Sequence, residues 1–212
     1  MQNYHTKNVL LSGLLLVHGI SVLAQDTIQL RNPSFEAKMP GIVGLVPEGW
    51  LNLGAALESP PDIQPGCFGV TLPPQDGMTY LGLVVRENNT VEKVSQQLDG
   101  LLKKDSAYSF SMYLTRSPIY RSITRTSKEL VNFDAPTVLK IWGYNTATHQ
   151  KELLIETSAV PLFYWTKYNF ILQPKIADFN CLDFMAHYEL GFEKTNGNLL
   201  MDNCSAIVKV KK

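Results

Sequence analysis

After residue 25 the sequence keeps two histidines, His149 and His187, and neither has a His or Cys neighbour at zinc-ligand spacing. No Gly-x-Ser-x-Gly stretch is present to carry a serine nucleophile. Paired carboxylates from distant loops are the remaining route to catalysis. Asp62, Asp76, Glu87 and Glu189 are available for it, but no pattern distinguishes them. The sequence therefore argues for a protein that is not an enzyme. Binding chemistry has better material. In "LKIWGYN" (139–145), alternation places Trp142 and Tyr144 on one face with Lys140, while Leu139 and Ile141 point the other way. A solvent-facing Trp beside a Tyr is unusual for a surface strand. The polar faces of other strand candidates add Tyr113, Asn169, His187 and Glu189. The competing reading is that the face carrying Trp142 is covered by residues 116–136. A third feature is "NPSFE" (32–36), where Glu36 directly follows a Phe that should enter the core. A carboxylate beside core aromatics is costly unless it is paired or bound to a metal.

These residues need a scaffold, and the scaffold reads as all-β. No convincing helical period occurs after residue 25; what recurs is period-2 alternation between turn signals. "YSFSMYLT" puts Tyr108, Phe110, Met112 and Leu114 on one face, and "YNFIL" does the same with Tyr168, Phe170 and Leu172. "LDFMAHYELGF" sets Leu182, Phe184, Ala186, Tyr188, Leu190 and Phe192 against Asp183, Met185, His187 and Glu189. Further strand candidates are 27–30, 34–37, 79–85, 91–98, 138–144, 152–158 and 199–208, with a hairpin expected between 182–193 and 199–208 turning at 196–198. About ten strands with one apolar face each predict an antiparallel two-sheet sandwich. Trp50 and Trp165 are expected to anchor loops to its edge. Two long connections interrupt it: 54–77, rich in Pro and Gly, and 116–136, with Arg116, Arg121, Arg125 and Lys128 ahead of its first acid.

Composition supports a packed domain. The chain is 45% hydrophobic and 18% charged, with 19 basic and 19 acidic residues. A formal charge of zero speaks against a nucleic-acid partner, whose binding rests on phosphate neutralisation. Residues 1–24 differ from the rest: Lys7 precedes a mostly apolar run from Val9 to Leu23 that ends in "VLA". This is the pattern of a signal peptide cleaved before Gln25, leaving 25–212 as a single domain with no transmembrane span. The run is too interrupted by Gly, Ser and His18 for a membrane anchor. Export permits disulfides, yet three cysteines leave at least one thiol over. In the expected hairpin Cys181 and Cys204 lie out of bonding reach, so Cys204 reads as a small buried hydrophobe.

The order of short motifs also resembles a family. "NPSFE" is followed by "PEGW" (47–50), "SPPDIQPG" (59–66), "GMTYLGLV" (77–84), "EKVSQQL" (92–98), "YSFSMYL" (108–114), "LKIWGYN" and "NGNLLMDNCSAI" (196–207). Together they resemble the galactose-binding-like jelly-roll domain of carbohydrate-binding modules, in the form carried by exported and gliding-associated surface proteins of Bacteroidetes. The resemblance implies a jelly roll with its first and last strands side by side. It implies a structural Ca²⁺ near that junction, held by Glu36 and Asp202. It also implies carbohydrate as the ligand, with sugar rings stacked on exposed aromatics and hydroxyls met by planar polar groups. The candidate binding residues are then Trp142, Tyr144, Tyr113, Asn169, His187 and Glu189. The alternative is a structural or adhesion module that uses the same fold for contacts with a surface protein. In either case the expected location is the periplasm, the cell surface or the medium.

Overall fold

Apolar residues at every second position make a strand that can bury only one face, so two such sheets must close on each other. The computed structural model describes residues 27–54, 58 and 60–211; the expected signal peptide lies outside them. The described residues contain β1 (Thr27–Ile28), β2 (Leu51–Asn52), β3 (Asp62–Gln64), β4 (Tyr80–Val85), β5 (Lys93–Leu102), β6 (Tyr108–Thr115) and β7 (Arg121–Ile123). The chain continues with β8 (Leu130–Asn132), β9 (Thr137–Tyr144), β10 (Lys151–Glu156), β11 (Thr166–Leu172), β12 (Phe179–Tyr188), β13 (Gly197–Asp202) and β14 (Ile207–Lys209). No helix of the described residues is long and apolar enough to cross a membrane.

The fold is an antiparallel two-sheet jelly-roll sandwich. The five-stranded sheet runs β10-β9-β12-β5-β2. In the seven-stranded sheet β6 pairs with β11 along one edge. Along its other edge lie β13 and β14 in turn, through Met201↔Leu114 and Val208↔Ser109. Beyond these come β4, next to β13, and β1, next to β14, so the first and last strands are neighbours.

The facing expected from alternation holds for the long strands. Tyr108, Phe110, Met112 and Leu114 of β6 pack with Leu182, Phe184 and Ala186 of β12 and with Leu139 and Ile141 of β9 in one core. Phe110 and Phe184 bridge the two sheets edge to face, with ring centroids 6.1 Å apart. Each such side chain contributes about 1.5–3 kcal/mol on leaving water. A second, smaller core sits on the outer face of the seven-stranded sheet. There Tyr80, Val84 and Leu200 are covered by Val70, Tyr120 and Phe133. Asn198 ties this cover down: its Oδ1 accepts Ser117 N–H at 2.7 Å, and its Nδ2 donates to Ser117 O and Phe133 O. Residues 116–136, including the small β7-β8 hairpin, therefore cover the seven-stranded sheet and not the face carrying Trp142.

Three expectations are corrected. Residues 34–37 are not a strand. Asn32 and Phe35 have positive φ, of 48° and 52°, and the Asn32 side chain closes the turn by accepting Glu36 N–H at 2.7 Å. This turn aims Phe35 into the core against Trp50, 4.6 Å between centroids. Second, β12 and β13 do not form a hairpin: they belong to different sheets, and Gly197 pairs with Val85. Third, the inward pattern of β12 stops at Tyr188, so Leu190 is 91% exposed and Phe192 is also exposed. All three cysteines are free and buried, including Cys181 and Cys204.

Candidate functional site

β9 and β12 build the face of interest. Because Leu139 and Ile141 enter the core, Lys140, Trp142 and Tyr144 must project outward, and on β12 the same logic turns Asp183, Met185 and His187 to that outer face. Pairing registers align one residue from each strand across the whole sheet: Leu51, Ser95, Asp183, Trp142 and Leu153. Trp142 thus lies in a row with Ser95 and Asp183 on one side and Leu153 on the other.

The row is held by charge. Asp183 is buried, its Oδ1 accepting Ser95 Oγ–H and its Oδ2 accepting Lys151 Nζ–H, both at 2.7 Å. The same ammonium lies 5.2 Å from the Trp142 ring centroid, a cation–π distance. Tyr144 Oη and His149 Nδ1 are hydrogen-bonded at 2.7 Å. Lys140 reaches Glu156 at 3.3 Å.

The structure brings together three of the six expected binding residues. Trp142, Tyr144 and His187 share the outer face of the five-stranded sheet. Glu189 lies beyond the end of β12, in a turn where its carbonyl accepts Phe192 N–H. Tyr113 and Asn169 sit on β6 and β11, on the opposite side of the sandwich; alternation gave their facing but could not say which sheet each strand joins. Asn169 there lines a depression of about 440 Å³ with Ser109, Ser111, Ile171, Ser205 and Val208. Sequence reasoning did not single out Lys151, Asp183 or Ser95. The outward place of Asp183 was legible in the alternation, whereas its link to Lys151 depends on three strands distant in sequence.

Trp50 and Trp165 are loop anchors, as expected. Trp50 Nε1 donates to Asn32 O at 3.0 Å and Trp165 Nε1 to Pro73 O at 2.8 Å.

Glu36 and Asp202 clasp one loop. Both oxygens of Glu36 accept Met78 N–H, at 3.0 and 3.1 Å, and Oε1 also accepts Thr79 N–H. Oδ2 of Asp202 accepts the N–H groups of Gln75 and Asp76, and Oδ1 that of Asn203. Gly77 between them is required. It has φ +64°, and a Cβ there would stand 2.2 Å from Glu36 Oε1. The last strand meets the first segment directly as well, through Cys204 N–H to Pro33 O at 2.9 Å. Calcium takes six to eight oxygens. Here amide protons occupy most lone pairs of both carboxylates. As placed, the two carboxylates act as an amide clasp. Chelator should accordingly leave the melting temperature unchanged, while Glu36→Gln should lower stability by about 1–2 kcal/mol with or without chelator. A chelator-induced drop that vanishes in Glu36→Gln would instead make Glu36 a calcium ligand.

Three of the four candidate catalytic acids, Asp62, Asp76 and Glu87, are engaged in structure. Asp76 Oδ2 accepts Ser34 Oγ–H at 2.7 Å. Asp62 is buried and accepts Tyr120 Oη–H at 2.5 Å and Gly44 N–H at 2.8 Å; burial raises its pKa above the usual range. Near it, buried Glu92 binds Arg86 and accepts Val84 N–H, and burial pushes its carboxyl up to about 8. Glu87 accepts Arg125 N–H and Thr126 N–H, and Arg125 Nε donates to Glu58 at 2.7 Å. The basic loop thus has fold contacts of its own: Arg116 also lies 4.4 Å over the Phe163 ring.

Comparison with protein-family models finds no match, and neither does comparison with curated proteins. Solved structures of similar fold exist. A cyclase from Fischerella sp. TAU superposes with a TM-score of 0.54 at 10% identity, covering 87% of this chain and 96% of that one. The apo form of a cyclase from Fischerella sp. gives 0.53 at 12% identity, with the same coverage. A Clostridium thermocellum xylanase 10B structure with CBM22-1 and GH10 modules, complexed with xylohexaose, gives 0.48 at 12% identity over 88% of this chain and 29% of that one. At these identities the two cyclases establish a shared fold alone, and the xylanase overlay carries no argument.

Proposed function

We propose that the chain is an exported, non-catalytic sandwich module that binds carbohydrate on the outer face of its five-stranded sheet, with Trp142 as the stacking residue. One observation carries this reading: Trp142 projects from within that sheet amid polar side chains, and the long loop able to cover it packs on the other sheet. An indole flanked by hydrogen-bonding groups suits a pyranose ring, which offers an apolar face and a polar rim. The export part of the proposal rests on residues 1–24, and the surface location on the motif resemblance.

A second reading is supported by the ends of the same row. Leu51 is 61% exposed and Leu153 37%, and exposed aliphatics beside an aromatic also suit a protein contact. A glycan array decides between them. The carbohydrate reading expects binding to at least one glycan class, weakened about tenfold or more by Trp142→Ala in a variant that still melts cooperatively. An array with no binding would leave the protein-contact reading.

A further inference from the structure

We infer that the saccharide taken by this face is anionic and that Lys151 selects it, an inference that rests on the carbohydrate reading above. Three lysines project from the face: Lys93, Lys140 and Lys151. Their outward direction follows from the pairing of Lys93 with Met185, of Met185 with Lys140, and of Lys151 with Tyr144. Three acids stand against them, of which Asp99, further along β5, is paired with Arg31. Asp183 is only 3% exposed, with both oxygens already accepting from Lys151 and Ser95, so it offers a ligand neither charge nor a free acceptor. Glu156 is paired with Lys140. Lys93 makes no ion pair among the described residues. What a ligand meets around Trp142 is therefore cationic.

Lys151 is the best placed of the three. Its ammonium has three N–H groups; Asp183 takes one, and the side chain remains 38% exposed. Its ammonium lies over the indole, 5.2 Å from the ring centroid, so it borders whatever contacts Trp142. A hydroxyl gains one ordinary hydrogen bond there, whereas a carboxylate or sulfate gains a charge-assisted one. Asp183, itself held by Ser95, fixes the lysine in that position and leaves it fewer conformations to lose on binding.

Two matched pairs of probes test this by calorimetry: polygalacturonate against its carboxyl-reduced form, and dextran sulfate against dextran. The inference expects an anionic member to bind about tenfold or more tightly than its neutral counterpart. Polygalacturonate alone showing the preference would assign carboxylate, and dextran sulfate alone would assign sulfate. Lys151→Gln, which can still donate to Asp183, should remove most of the preference, and Lys93→Gln, which breaks no ion pair of the fold, should reduce it. Trp142→Ala should weaken the anionic probe as well. Equal or tighter binding of the neutral members overturns the inference and leaves the carbohydrate reading intact. Anion binding that survives both Lys151→Gln and Trp142→Ala overturns it too, as general polyanion adhesion elsewhere. No binding of any of the four, together with a silent glycan array, overturns both.

Discussion

Arg86→Met should destabilise the fold by about 3–5 kcal/mol at pH 8.5, the cost of leaving one member of a buried ion pair without its partner. Arg86 and Glu92 have side chains 4% and 1% exposed, so water cannot take the place of the lost guanidinium. Methionine keeps much of the volume, and the effect is therefore electrostatic more than a cavity effect. Its signature is pH dependence. Without Arg86, Glu92 meets its environment by taking up a proton, and burial already pushes that carboxyl up to about 8. The destabilisation should shrink on going to pH 5. Denaturant titrations at the two pH values check this. Equal losses at both would mean that Arg86 acts by packing alone.

The second large effect is on the wild type. Three buried acids have raised folded-state pKa values, each first through burial: Glu92 at about 8, Asp202 at about 7, and Asp62 above its usual range. A raised carboxyl pKa means that the folded state holds a proton the unfolded chain would release. The associated stability is fully present below the unfolded pKa and is lost as pH rises through the folded value. For Glu92 that window runs from 4.5 to about 8, and for Asp202 from 3.8 to about 7. Together they should make the protein more stable near pH 5 than at pH 8.5 by an amount on the order of several kcal/mol. Below the window other groups act with the opposite sign. Asp178 is lowered by the Lys103 hydrogen bond, and Glu58, although burial raises it, is lowered on balance by Arg125 and Asn88. Their contributions are lost as pH falls, so the melting temperature should pass through a maximum near pH 5. A melting temperature that is flat or rises from pH 5 to 8.5 would contradict this.

Much of the architecture was legible because alternation is a local signal. The facing of β6, β11 and residues 182–188 of β12 follows from apolar residues two apart, and each such residue is buried or packed against the core. Partnership between strands was less legible. The Asn-Gly-Asn segment at 196–198 resembles a hairpin turn, yet Gly197 begins a strand of the other sheet. The pairing of Leu199 and Met201 with the core beside β4 outweighed that local preference. The Glu36–Asp202 junction was readable as a clasp between the chain's ends. What each carboxylate grips, the amides of 75–79, was not, since backbone donors leave no mark on composition. The split of the binding residues has the same origin. Tyr113 and Trp142 have similar surroundings in sequence, and only the strand order puts them on opposite sides of the sandwich. The cover over the seven-stranded sheet depends on Tyr120 and Phe133, two aromatics in a segment with no period to reveal their facing.

The three tryptophans give the most direct test of the proposed binding face, because each indole N–H yields its own resonance. Trp50 and Trp165 donate theirs to Asn32 O and Pro73 O, away from the outer face of the five-stranded sheet. Titrating the ¹⁵N-labelled protein with a glycan identified on the array should shift the Trp142 indole resonance in step with saturation, leaving those of Trp50 and Trp165 in place. A saturable shift of Trp50 or Trp165 with Trp142 unmoved would contradict the account and put the binding site elsewhere on the sandwich.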